Sequence, residues 1–424
     1  MKFKFSLLIC ILLFLQLTAQ TPVLTIGSPD EVGISSERLE RIDKMLHSSI
    51  EDEQIPGVVA LIARDGKIVY HKAFGSADAG GKELKKDDIF RIASQTKAIT
   101  ATAVMMLWEE GKFRLDDPVS KYIPEFKDMG VLETFSENDS TFTVESAKKE
   151  ISIRHLLTHT SGIGYGMIDG DDRFRKIYVK NDIIDAFTTK DIDLKKNITK
   201  LAQMPLHHTP GEKFTYSEGL DVLGYLVEII SGKSFDQFLK ERIFDPLEMN
   251  DTHFYLPASK NERLVKVQMK KDGEWKNFPE NEYYDPEYPI RGAKAYFSGG
   301  AGLSSTASDY AKFLQMYLNG GSFNGNMLLS PMTVEVIMSN HTEDLFKSPG
   351  KYYGLAFGIV SERGEDIGGM GSEGTFNWGG YFNTQYFADP VTNVIGILLK
   401  QTQGTREDET GWKFRQMVFA SLIE

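Results

Sequence analysis

The chain has a single cysteine among its 424 residues, and that cysteine is Cys10. It lies in a short apolar run, Ser6 to Leu17, between a basic start at Met1-Lys2-Phe3-Lys4-Phe5 and a small-residue exit at Thr18-Ala19-Gln20. Those features predict a secretory signal peptide over residues 1–20, too short to span a membrane. A lipid-anchor reading of Leu7-Leu8-Ile9-Cys10 fits poorly, since Ile9 is bulky and the apolar run continues past the cysteine. The exported chain then has no disulfide, no thiol nucleophile and no cysteine-based metal site. Positive charge is in deficit too: 48 Lys and Arg face 60 Asp and Glu, a formal charge of −12. Losing Lys2 and Lys4 with the leader deepens that deficit, so nucleic acid and anionic membrane are not expected partners. No later apolar run is long enough to span a membrane, which predicts a soluble protein, periplasmic or secreted. Repeats and low-complexity tracts are missing, as is any Gly-x-Ser-x-Gly, the turn that carries an α/β-hydrolase nucleophile.

Against these absences stands Phe90-Arg91-Ile92-Ala93-Ser94-Gln95-Thr96-Lys97, followed by the apolar run from Ala98 to Trp108. A Ser and a Lys three apart at a helix start share one face, close enough for the amine to take or share the hydroxyl proton. Ser94 is thus a candidate nucleophile and Lys97 its activator. Ser-x-x-Lys occurs twice more, at Ser146/Lys149 and Ser348/Lys351, but the first lies in a charged run and the second runs into the turn Pro349-Gly350. Only Ser94 opens a helix that can be buried on nearly every side. On this segment alone, Ser94 as a plain N-cap with Lys97 solvated reads equally well.

The rest of the chain predicts an α/β fold of more than one packed part. Apolar spacing predicts a helix within Val32 to Ser49. Gly57–Ala63 and Lys67–Phe74 form a hairpin around Asp65-Gly66. The polar stretch 124–143 reads as a mobile surface loop placed to overhang a site. Ser217 to Met249 is mostly helical, Arg263 to Lys276 a hairpin turning at Asp272-Gly273, and Ser308 to Leu318 a helix. Strands at Ala356–Glu362, Tyr381–Phe387 and Asn393–Lys400, then a helix over 408–423, complete the sheet begun at Gly57. An antiparallel sheet flanked by helices results, with its sheet part at about 21–125 and 300–424 and a mostly helical part inserted at about 126–299.

Two further segments carry possible chemistry. Tyr216 follows the Pro210-Gly211 turn at a loop-to-helix junction, where a hydroxyl next to a lysine can act as general base; a packing tyrosine is the commoner role. Asn377-Trp378-Gly379-Gly380-Tyr381 lets a ligand approach backbone N–H groups, as an oxyanion site needs, or forms a tight turn with a core Trp. His155 and His159 are four apart but lack the His-Glu-x-x-His pattern, which favours structural histidines over metal ligands.

From about Ser35 onward the sequence resembles the serine β-lactamase and penicillin-binding-protein superfamily, in the class C-like branch that includes family VIII carboxylesterases. The resemblance is carried, in order, by the Ser94 segment, Leu115-Asp116-Asp117-Pro118 through Pro124, Leu156-Leu157-Thr158-His159-Thr160-Ser161-Gly162, Pro210-Gly211 through Tyr216-Ser217, and Gly299-Gly300-Ala301-Gly302-Leu303. It implies Ser94 as acylated nucleophile, Lys97 as its proton partner and Tyr216 as the base of a Tyr-x-Asn element. Trp378-Gly379-Gly380 would stand for the Lys-Thr-Gly strand element and help bind substrate, with the N–H groups of Ser94 and Tyr381 as oxyanion hole. No metal or organic cofactor is implied.

Two departures bear on specificity. Glu218 replaces the usual Asn, setting a carboxylate beside Lys97 and Tyr216 that repels anionic substrates. Trp378 replaces the cation that meets a β-lactam or peptide carboxylate, leaving Lys400 as another candidate cation. The implied activity is a carboxylesterase acting on short esters through an acyl-enzyme, with weak β-lactamase activity. The alternatives are a β-lactamase or D-amino-acid-specific peptidase or amidase, and a non-catalytic binder of cell-wall fragments.

Overall fold

The computed structural model describes residues 23–281, 283–405 and 407–423. The predicted signal peptide lies outside them. Among the described residues no helix is long and apolar enough to cross a membrane.

Strand β1 is Thr25–Ile26, β2 Gly57–Arg64 and β3 Lys67–Gly75. After a long excursion come β4 (Lys351–Tyr353), β5 (Gly358–Val360), β6 (Phe376–Gly379), β7 (Gln385–Asp389) and β8 (Val394–Leu399). They form one eight-stranded sheet in the order β1-β3-β2-β8-β7-β6-β5-β4. The pairings are antiparallel except β1 with β3. The β2–β3 turn follows its sequence: Arg64 pairs Lys67, and Asp65 and Gly66 both have positive φ (48° and 75°), the type I′ geometry that matches strand twist. β2 pairs β8 from Val59 with Leu399 to Arg64 with Val394, so the sheet's middle joins the two ends of the sequence.

Five helices position what matters here: α1 (Ser36–Glu51), α2 (Thr96–Glu109), α3 (Gly219–Ser231), α4 (Ala307–Leu318) and α5 (Thr410–Ser421). β2 is buried along nearly its whole length because it is covered on both sides. Val58, Ala60 and Ile62 join Leu39, Ile42 and Leu46 of α1 and Phe414 and Val418 of α5 behind the sheet. Val59, Leu61 and Ala63 join the larger core that includes α2, α3 and α4 in front. Alternation along the strand decides which residue serves which core.

Two expectations need correction. The stretch 124–143 is not a mobile loop: Gly130–Phe135 and Phe142–Ser146 pair as an antiparallel hairpin, tied down where Leu132 N donates to Leu206 O. The second of these strands is mostly exposed, so it never shows the apolar alternation by which strands are recognised. Nor does the strand after Trp378-Gly379-Gly380 begin at Tyr381. Residues 380–384 form a turn closed by Gly380 N to Thr384 O, with Asn383 at φ 64°, and β7 starts at Gln385.

Candidate active site

Ser94 sits in a 3-10 turn, Ala93–Gln95, that leads directly into α2, and its side chain caps nothing. From residue 90 to 107 it is the only residue not buried. Ala93 before it holds φ 44°, a left-handed conformation costly for a residue with a Cβ. α2 is buried on every side from Thr96 to Leu107, and its threonines tolerate this by bonding backbone: Thr100 Oγ donates to Gly299 O (2.7 Å) and Thr102 Oγ to Ala98 O (2.8 Å).

Lys97 has no solvent exposure, so the solvated-lysine reading fails. Its Nζ donates to Ser94 Oγ (3.3 Å), Tyr165 OH (3.0 Å) and Gly300 O (2.8 Å). A buried amine needs such partners, because a polar group taken out of water without hydrogen bonds costs roughly 2 kcal/mol or more. The glycine pair supplies one through close approach. A Cβ on Gly299 would come 2.3 Å from Leu220 O, and one on Gly300 2.5 Å from Asp221 Oδ2.

Tyr216 places its ring 4.6 Å from Lys97 Nζ, stacks on Tyr165 at 5.4 Å, and accepts from Trp378 Nε1 at 3.3 Å. His159 fixes the segment that carries it: Thr215 N donates to His159 O (2.7 Å) and Ser217 N to His159 Nδ1 (3.1 Å). Burial, aided by the Lys97 charge, holds the His159 imidazole well below its usual pKa, so it stays neutral and keeps that ring acceptor. His155 Nδ1 likewise accepts from Ser152 N at a helix cap. Both histidines serve the backbone.

The end of β6 abuts the turn that carries Ser94: a Cβ on Gly380 would lie 2.5 Å from Ile92 O. The backbone N–H groups of Ser94 and Tyr381 have no hydrogen-bond partner among the described residues. Ser94, Tyr216, Trp378 and Gly379 line one cavity of about 850 Å³. The hairpin of residues 130–146 contributes nothing to its wall.

Two expectations change here. Glu218 is fully buried at the start of α3, outside the cavity wall, and neither carboxyl oxygen has a hydrogen-bond partner among the described residues. Burial first, then Asp185, Asp221 and Asp169, push its pKa well above the usual range. Buried there, it presents no carboxylate to the cavity wall. Lys400 is equally unavailable: it is buried and bound to Asp408 and Thr410. Ser348 and Lys351 do line the cavity, but Lys351 Nζ donates to Asn377 Oδ1 (3.1 Å) and the pair opens no helix.

Sequence reasoning missed Tyr165. It lies three residues past the quoted Gly162, inside Gly162-Ile163-Gly164-Tyr165-Gly166, where Gly162 and Gly166 both take positive φ (83° and 37°). Glycines on both sides of an aromatic residue were the available signal. Tyr165 is buried and does not line the cavity, and burial drives its hydroxyl pKa well above 10. It is a neutral acceptor for Lys97.

Comparison with known proteins gives a consistent picture. The sequence profile of the beta-lactamase family matches residues 42–418. Esterase EstB of Burkholderia gladioli is 30% identical over 379 residues, covering 85% of this chain and 90% of that protein. Lovastatin esterase of Penicillium rubens is 28% identical over 382 residues, covering 84% and 91%. Among solved structures, EstCE1, a hydrolase with promiscuous acyltransferase activity, superposes with a TM-score of 0.75 at 25% identity over 91% of this chain and 98% of that one.

Proposed function

The chain belongs to the beta-lactamase family and is a serine hydrolase, and from that premise we propose that it is a carboxylesterase working through an acyl-enzyme on Ser94. Its substrates are short-chain esters with no charge beside the reacting carbonyl. The observation that carries this is Trp378, an apolar wall in the cavity of Ser94 where the family resemblance expects a cation. The names of EstB and lovastatin esterase support it.

In this reading Ser94 Oγ attacks the ester carbonyl while its proton passes to the Lys97–Tyr216 pair, Tyr216 being the member that reaches the cavity. The N–H groups of Ser94 and Tyr381 take the developing oxyanion. The same pair returns the proton to the leaving alcohol, and water then repeats the cycle on the acyl-enzyme to release the acid. A β-lactam presents a carboxylate next to the reacting carbonyl. Missing one charge-assisted hydrogen bond there is worth roughly 1.5–3 kcal/mol, about ten- to a hundredfold. β-lactam turnover is therefore weak.

The test is kcat/KM for nitrophenyl butyrate beside a chromogenic cephalosporin, with fluorophosphonate labelling of the native protein and Ser94→Ala. Higher kcat/KM on the ester and loss of both turnover and label in Ser94→Ala are expected. A cephalosporin preferred over the ester would overturn the specificity, and a labelled Ser94→Ala would overturn the nucleophile. Absence of any turnover would favour a non-catalytic binder. Residues 1–20 support export to the cell envelope; the N-terminus of protein from a periplasmic fraction should be Thr21, and an intact Met1 would refute it.

A further inference from the structure

The cavity does not end at Trp378. Successive residues of β6 face opposite sides of the sheet, so Asn377 points behind it, where its register partner Phe387 packs with Phe414 of α5. The cavity wall continues there through Asn377, Lys351, Phe387 and Arg415. Lys351 Nζ bonds Asn377 Oδ1, and the Arg415 guanidinium lies 5.2 Å from the Phe387 ring centroid.

Both cations lack a counter-ion: no carboxylate among the described residues comes within ion-pair distance of either. Arg415 gives one bond to Met370 O, and its Nε is buried with no partner. The one acid on this wall, Asp408, is already paired with buried Lys400. Burial, and for Lys351 the repulsion of Arg415, pushes the two pKa values down to about 8 and about 10. Two half-buried like charges that hydrogen-bond only neutral oxygens, with Asp389 acting on Arg415 from beyond ion-pair distance, are a costly arrangement that an entering anion relieves.

We propose that this arm of the cavity is a carboxylate-binding subsite, in which Lys351 and Arg415 hold an acid group on the substrate remote from the ester that reaches Ser94. The substrate class is then an elongated ester with a free carboxylate at its far end, such as a half-ester of a long dicarboxylic acid. This rests on the esterase reading, keeping its ester chemistry and replacing the short chain with a longer, acid-tipped one. It also separates the site from one for β-lactams, whose carboxylate adjoins the reacting carbonyl.

The test uses mono-nitrophenyl esters of dicarboxylic acids from butanedioic to decanedioic, each normalised to the neutral ester of equal chain length. The expected result is an advantage for the acid-bearing ester that appears only in the longer members. Lys351→Met and Arg415→Met should each lower that advantage by roughly tenfold or more, the scale of one charge-assisted hydrogen bond, while Lys351→Arg keeps most of it. A flat ratio across the series, or one unmoved by both Met variants, overturns the subsite while leaving the esterase standing. Should no ester be turned over, binding of free decanedioate to Ser94→Ala by calorimetry decides the question without catalysis. Binding weakened by Lys351→Met supports the subsite, and no binding removes it. Melting curves of each variant identify a folding defect, and the charge-keeping Lys351→Arg then serves as the readout.

Discussion

At the nucleophile end of the cleft, Lys97 is fully buried and its amine meets three neutral oxygens; behind β6, Lys351 is only partly buried and its amine meets one. Lys400, near the second end, is buried too but has a carboxylate. Charge is therefore managed in three ways around one cavity. Lys97 is met by neutral acceptors, one of them Ser94 Oγ. A carboxylate on Lys400 locks it into structure. No counter-ion on Lys351 leaves it open to a ligand. Two buried acids interact with the Lys97 charge: burial raises the Glu218 pKa well above the usual carboxylate range and that of Asp221 to about 6.

The largest test of the nucleophile end is the pair of tyrosines. Tyr216→Phe should lower kcat by roughly a hundredfold or more, the scale of a lost general base. Tyr165→Phe removes only an acceptor for Lys97 and should cost about tenfold, with the pH–rate profile displaced. Equal losses, or the reverse order, would hand the base role to Tyr165. Steady-state kinetics over a pH series reads both.

Giving the nucleophile end a cation should erase its difference from the far end. Trp378→Lys is expected to raise cephalosporin kcat/KM by roughly tenfold and lower that of the neutral ester. A variant with both rates unchanged would show that Trp378 does not set the specificity.

The smallest effect is on stability. Burial raises the Asp185 pKa to about 6 from an ordinary 3.8, although Met167 N (3.0 Å) and Tyr284 OH (2.9 Å) both donate to its Oδ2. The folded state thus holds a proton that the unfolded chain has released between about pH 4 and 6. Stability from this group is full below the unfolded value and lost as pH rises through the folded one. Asp185→Asn keeps one oxygen for both donors and should gain up to about 3 kcal/mol at pH 7.5 and little at pH 4. Melting curves at the two pH values check it, and a destabilised variant at pH 7.5 would mean that the carboxylate charge is wanted there.

Much of the fold was legible because its signals are local. The Asp65-Gly66 turn, the periodic faces of α1 and α3, and the all-apolar run of α2 each need only a few consecutive residues. The exposed hairpin at residues 130–146 and the late start of β7 were not legible. In the first, solvent on both faces erased the alternation; in the second, Gly380 and Asn383 closed a turn inside an apparently continuous strand.

Sequence alone determined which residues open α2, because the three-residue spacing of Ser94 and Lys97 is set by helix geometry wherever the helix lies. Only tertiary structure decided what surrounds them. Lys97 takes its partners from 68 and 203 residues away, Glu218 falls inside the core rather than in the cleft, and Lys351 meets Asn377 across the sheet. No local pattern records those neighbours, because they follow from how sheet and helices close on one another, and it is neighbours and burial that fix the charge each group carries.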